Sequence, residues 1–199
     1  MIRPAGIIVF SRCSRMLCIA AFAACVLAGG PARAQPSGAA AAAAPAPVQA
    51  PAGAWSLRLG YNSDYRKIGL MYETPTWWSS SPGALGRLDL GAELGVSYWD
   101  AENGQPDSMW QFSATPMLRW WPTEVFYAEI GVGVTALTRT HFADRDLGSA
   151  FQFGNHVGAG VLINDAHRIG VRYSHFSNAG LKEPNQGLDL LQLTYTYRF

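Results

Sequence analysis

From residue 54 to the C-terminus the chain alternates apolar and polar residues with period two, in eight separate runs. Trp55, Leu57, Leu59 and Tyr61 alternate with Ser56, Arg58, Gly60 and Asn62, and Ile68, Leu70 and Tyr72 alternate with Lys67, Gly69, Met71 and Glu73. The third run is long: Leu88, Leu90, Ala92, Leu94, Val96 and Tyr98 stand against Arg87, Asp89, Gly91, Glu93, Gly95 and Ser97. The same parity runs from Trp110 to Trp120, Phe126 to Val134, Phe151 to Val161, Ile169 to Tyr173 and Leu191 to Phe199. Period two marks a strand with two unlike faces, and runs of about 8 to 12 residues have the length of a tilted bilayer-crossing strand.

The direction of the two faces follows from their chemistry. The polar face carries both signs of charge, Arg58, Arg87, Asp89, Glu93, Arg119, Glu129 and Arg172, interspersed with glycine. The apolar face has aromatics near the strand ends, as an interfacial girdle would, so it is turned outward to lipid. The expected fold is all-β, an eight-stranded antiparallel transmembrane β-barrel of the outer membrane. Such a barrel is filled by its own side chains, which excludes a pore. Pro116 falls within a strand and predicts a bulge. An even strand number puts both chain ends on the periplasmic side, with the short connections at 122–124 and 164–167. The connections near 100–108, 138–149 and 179–187 then lie outside, and the long connection at 74–86 is periplasmic.

Composition narrows the class further. Charged residues are 15% against roughly 25% in soluble domains, and 49% of the chain is hydrophobic, which excludes a disordered chain. With 15 basic and 14 acidic residues the chain is too neutral for a nucleic-acid binder. No run of 18 apolar residues follows Gln35, so a helical span is excluded.

The first 34 residues read as a signal peptide: Arg3, Arg12 and Arg15, an apolar run from Met16 to Leu27, and Ala32-Arg33-Ala34 before the expected cleavage. The apolar run is too short to span a membrane. Phe22-Ala23-Ala24 ahead of Cys25 lacks the aliphatic residue of a lipoprotein signal. Cys13, Cys18 and Cys25 all fall in the removed segment, so disulfides, thiolate metal sites and cysteine nucleophiles are not expected. Removal of Arg3, Arg12, Arg15 and Arg33 leaves 11 basic residues against 14 acidic. Residues 35–53 form an Ala/Pro linker, and 54–199 the barrel domain.

Metalloprotease, phosphate-loop and nucleophile-elbow motifs are absent. His141 and His167 are expected in a loop and a turn, and His156 inside the barrel as a structural histidine; their scattered spacing argues against a metal site. One segment departs from its own pattern. Continuing the parity of Ile169, Val171 and Tyr173 puts His175 and Ser177 on the outer face, and continuing that of Leu191, Leu193 and Tyr195 upward puts Asp189 there. Polar residues near a strand end can simply face head groups, but Asp, His and Ser together occupy a face where each is costly. A Ser-His-Asp triad is recognised by geometry and role in any chain order. The expected register sets His175 opposite Asp189, with Ser177 nearer the loop.

The stretch His175 to Asp189, H-F-S-N-A-G-L-K-E-P-N-Q-G-L-D, resembles the signature of the outer-membrane lipid A 3-O-deacylases, the PagL family. The resemblance implies His175 as base, Ser177 as nucleophile and Asn178 as a residue linked to the oxyanion hole, with backbone N–H groups around Ala179 and Gly180. The orienting carboxylate, usually Glu in that family, is Asp189 here. The implied reaction is ester hydrolysis of the 3-position hydroxyacyl chain of lipid A, with no metal or organic cofactor. The implied partners are lipopolysaccharide of the outer leaflet and, through the aromatic C-terminus at Tyr197 and Phe199, the barrel assembly machinery. Lys182, and beside it Arg139 and Arg145, are candidates to pair with lipid A phosphate. Alternatives at this point are a non-catalytic envelope or ligand-binding barrel, and an outer-membrane phospholipase or acyltransferase with the same triad. The oligomeric state, a homodimer included, is left open.

Overall fold

A computed structural model describes residues 53–102 and 106–199. The expected signal peptide, and all of the linker but residue 53, lie outside the described residues. Eight strands form the barrel wall: β1 Ala54–Tyr61, β2 Tyr65–Glu73, β4 Arg87–Ala101, β5 Ser108–Trp121, β6 Phe126–Leu137, β9 Phe151–Asn164, β10 His167–Ser177 and β11 Leu188–Arg198. Three two-residue strands complete the order: β3 Trp78–Ser79, β7 His141–Phe142 and β8 Arg145–Asp146. Each wall strand pairs antiparallel with its sequence neighbours in the wall, β1 pairs with β11, and the sheet closes on itself.

The two faces have the expected sense. Along β1 and β2 the buried positions include the polar Ser56, Arg58, Lys67 and Glu73, while Trp55, Leu57, Leu59, Ile68 and Leu70 are exposed. Closure leaves the charged face no solvent except inside the barrel, where the arginines pair with glutamates, while Lys67, with no carboxylate partner among the described residues, lies over the Trp99 and Phe176 rings at 5.2 and 5.1 Å. Arg172 bridges Glu93 at 2.8 Å and also pairs with Glu129; Arg58 reaches Glu93 at 2.6 Å. Arg119 joins Glu129 at 3.0 Å and Glu73 at 3.3 Å, and Arg168 meets Glu73 at 2.5 Å. Removing one member of such a buried network strands its partner and costs about 3–5 kcal/mol. Arg87 and Asp89, expected on this face, pair with each other at 3.0 Å, with Arg87 partly exposed near the strand end.

The other half of the interior, away from the chain ends, is mostly apolar, with Lys67, Gln111 and Gln152 buried against it. Tyr65, Trp99, Met109, Leu137, Phe142, Leu147, Phe176, Leu188 and Leu190 form one buried cluster, with Trp99 ring to ring against Tyr65, Phe142 and Phe176 at 5.6 to 6.0 Å. Phe176, Leu188 and Leu190 are the inward neighbours of His175, Ser177 and Asp189. The top of the β10–β11 hairpin therefore stands on a packed platform.

Two local expectations change. At Pro116 there is no bulge: β4 keeps its pairing through Ala92↔Pro116, and the β5–β6 register is the same on both sides of the gap between Ala114↔Val134 and Met117↔Gly131. Proline lacks the ladder N–H but adds no residue, so pairs are lost without a shift. The long connection at 74–86 is partly ordered as sheet, since β3 pairs with β4 at Trp78↔Leu90 and Ser79↔Asp89. Of the histidines, His156 is hydrogen-bonded inside to Ser174 Oγ at 2.7 Å, His167 meets Tyr195 Oη at 2.8 Å and His141 meets Asp146 at 3.2 Å.

Candidate active site

The β10–β11 ladder sets His175 directly opposite Asp189, as their parities require. His175 Nδ1 lies 2.7 Å from Asp189 Oδ1, with both side chains partly exposed on the outer face. With Nδ1 committed to the carboxylate, Nε2 is the ring nitrogen left for chemistry. Ser177 is the last residue of β10 and shares the face of His175 by alternation. It is only 4% exposed, less open than an outward residue was expected to be. Ser177 Oγ makes no hydrogen bond to a described residue, so the structure joins His175 to Asp189 and leaves the serine beside them unjoined.

Backbone contacts hold the carboxylate strand in place. The Asp189 N–H donates to Tyr65 Oη at 2.9 Å, and its carbonyl accepts from Tyr65 Oη at 3.0 Å and Asn62 Nδ2 at 2.8 Å. Tyr173 Oη donates to Asp189 Oδ1 at 2.6 Å. Gly187, at φ +64°, passes close to the imidazole: a Cβ there would stand 3.2 Å from His175 Cε1. On the other flank, Asn155 of β9 pairs with His175 in register and is the one polar residue in the outward row from Phe151 to Ile163.

The loop after β10 is built around Asn178, which is fully buried. Its Nδ2 donates to the carbonyls of Leu147 at 3.0 Å and Lys182 at 2.7 Å, and its Oδ1 accepts from the Gly180 N–H at 2.9 Å. Its own N–H donates to Asn185 Oδ1 at 3.0 Å. The Nδ2 of the amide expected near the oxyanion is thus committed to two carbonyls, one in this loop and one in the loop before β9. Ala179 has φ +55° and Gly180 φ +76°, and the Ala179 N–H donates to no described residue. A left-handed alanine costs roughly 1–2 kcal/mol, a strain the surrounding bonds must hold.

This loop is zipped to the one before β9. Asp146 N–H donates to Gln186 Oε1 at 2.5 Å and Gln186 N–H to the Asp146 carbonyl at 3.3 Å. Gly148, at φ +68°, allows the approach, because a Cβ there would lie 2.2 Å from the Pro184 carbonyl oxygen. Arg145 binds Asp64 at 2.7 Å, and that guanidinium holds the Asp64 carboxyl below the usual carboxylate range. Arg145 is therefore engaged, whereas Lys182 and Arg139 are exposed with no ion-pair partner among the described residues. Alternation and motif spacing do not single out Tyr173, Asn155, Tyr65, Asn62, Asn185 or Gly187 for the site. Asn155 carried a signal, as a polar residue in an apolar row; Tyr173 read as an ordinary outward aromatic.

A closed eight-stranded barrel with ion pairs in one half of its interior and an apolar exterior is the architecture of an outer-membrane barrel protein, and the Asp-His pair on that exterior is its candidate site. The family model described as lipid A 3-O-deacylase (PagL) matches residues 66–198, and the chain belongs to that family. It is 55% identical over 154 residues to the lipid A deacylase PagL of Bordetella bronchiseptica, covering 76% of this chain and 86% of that one. It is 32% identical over 140 residues to the lipid A deacylase PagL of Pseudomonas aeruginosa, covering 69% and 75% respectively. A crystal structure of the outer membrane enzyme PagL superposes with a TM-score of 0.65 at 28% identity, covering 73% of this chain and 99% of that one. The chain is an outer-membrane β-barrel protein.

Proposed function

We propose that this chain is a lipid A 3-O-deacylase, an outer-membrane esterase that hydrolyses the ester-linked 3-hydroxyacyl chain at the 3-position of lipid A. Ser177, His175 and Asp189 carry the reaction on the lipid-facing surface. The observation that supports this most strongly is the 2.7 Å contact between His175 Nδ1 and Asp189 Oδ1 on the outer face of the barrel. Among leucines, valines and aromatics, an imidazole and a carboxylate are expensive to keep unless they act.

Ser177 Oγ attacks the ester carbonyl carbon while His175 Nε2 takes its proton. Collapse of the tetrahedral intermediate expels the sugar 3-oxygen, which receives that proton from Nε2. Water, deprotonated in turn by Nε2, attacks the acyl-serine, releases the hydroxy fatty acid and restores the serine hydroxyl. Asp189 keeps the proton on Nδ1 and stabilises the imidazolium. Residues two apart on a strand have Cα atoms about 7 Å apart, within reach of a rotation of Ser177 toward the ring. The Ala179 N–H is the open donor for the oxyanion. Asn178 contributes by shaping the loop that presents it, and its amide holds the Gly180 N–H. Triad, donor and water complete the reaction without a metal or organic cofactor.

The site lies at the rim away from the chain ends, which fits the outer leaflet where lipopolysaccharide resides. Lys182, exposed in the same loop, is suited to hold a lipid A phosphate. The exposed Tyr197 and Phe199 fit recognition by the barrel assembly machinery. The test is mass spectrometry of lipid A from cells expressing the protein. Loss of one hydroxyacyl group is expected; lysophospholipid, added palmitate or unchanged lipid A would overturn the proposal.

A further inference from the structure

Tyr173 stands two residues before His175 in the outward row of β10, and its direct cross-strand partner is Leu191. Its hydroxyl nevertheless reaches the next outward-facing pair, two residues further along the ladder, donating to Asp189 Oδ1 at 2.6 Å. The same oxygen faces His175 Nδ1 at 2.7 Å. A phenol and an imidazole thus converge on one carboxylate oxygen, and an O–H···O⁻ contact of this length is charge-assisted.

The remaining contacts of Asp189 leave a task for that phenol. Tyr65 and Asn62 fix its backbone, through the N–H and the carbonyl, but neither touches the carboxylate. Apart from His175 and Tyr173, no described side chain donates to it. An aspartate on the barrel exterior would otherwise be free to turn its charge toward head groups and water. We propose that Tyr173 is a positioning residue for the deacylase reaction, locking the Asp189 carboxylate in the rotamer that aims Oδ1 at His175. The proposal rests on the triad reading above. Tyr173 acts through Asp189 alone, so its contribution exists only while residue 189 is a working carboxylate.

The experiment is a double-mutant cycle on purified, refolded full-length mature protein, with migration of unheated samples on gels verifying the barrel and lipopolysaccharide in detergent as substrate. Tyr173→Phe is expected to lower kcat by about tenfold to a hundredfold, the worth of a hydrogen bond to a charged group, with KM unchanged. Tyr173→Phe combined with Asp189→Asn is expected to match Asp189→Asn alone within about twofold, since residues acting as one unit are not additive. Tyr173→Leu is expected to match Tyr173→Phe, because the hydroxyl carries the effect. Undiminished kcat in Tyr173→Phe would overturn the proposal, as would a raised KM at constant kcat, a multiplied loss in the double variant, or a much larger loss with Leu. Wild-type activity in Asp189→Asn would instead overturn the triad reading itself.

Discussion

His175 and Asp189 face each other across the β10–β11 ladder with 2.7 Å between Nδ1 and Oδ1, on the side of the barrel that is otherwise mostly apolar. A strand pair of fixed register offers few ways to bring two ionisable groups together on the outside. The inward neighbours Phe176, Leu188 and Leu190 are packed in the buried cluster, so the pair cannot slip without exposing that cluster.

Asp189→Asn keeps the size of the side chain but can present its amide to Nδ1 and favour the wrong tautomer. Turnover should fall by about 10⁴-fold, as on loss of the orienting carboxylate in other triads, with the barrel still folded. Asp189→Glu should keep activity within about tenfold of wild type, since a carboxylate still meets the ring. Steady-state rates on lipopolysaccharide check both, and equal severe losses would point to another acidic partner for His175.

Gly187→Ala should inactivate the enzyme while leaving the barrel intact. The new methyl would stand 3.2 Å from His175 Cε1, in a backbone conformation of φ +64° that alanine adopts only with strain. The ring is the softer neighbour and should be displaced. Loss of kcat with unchanged gel migration is the expected pair of readings.

Asn178→Ala removes the donor to two carbonyls and the acceptor for Gly180 N–H. Each stranded group costs about 1–3 kcal/mol if left buried, which the loop can relieve only by rearranging. Activity should drop at least a hundredfold, by order of magnitude, from those lost bonds. Proteolysis should become faster within 178–187 and stay slow in the strands.

Lys182→Ala should weaken activity on lipopolysaccharide much more than on a small soluble ester, because only the former offers phosphate to the ammonium. Equal activity of wild type and variant on both substrates would remove Lys182 from the site. Arg145→Ala should matter less for substrate, since its guanidinium is engaged by Asp64 at 2.7 Å.

The outer face was legible because period two carries its own parity: His175 and Asp189 continue the rows of Tyr173 and Leu191, and their pairing follows from the hairpin. What alternation does not encode is what happens where a strand meets a loop. Ser177 has outward parity yet is 4% exposed. Asn178 carries a motif's expected role, but its hydrogen bonds go to carbonyls of Leu147 and Lys182 that become neighbours only after folding. Tyr173 looked like any outward aromatic, since the contact of its hydroxyl with Asp189 depends on a side-chain rotamer. Pro116 suggested a bulge by its chemistry, although a missing N–H can also be absorbed by leaving ladder pairs unmade.

The central claim, that Ser177 is the nucleophile of a lipid A 3-O-deacylase, is tested most directly by Ser177→Ala. Lipid A from cells carrying the folded, membrane-inserted variant is compared by mass spectrometry with lipid A from cells carrying the wild type. Loss of one hydroxyacyl group is expected with the wild type and fully acylated lipid A with the variant. Continued removal of that chain by Ser177→Ala would contradict the claim.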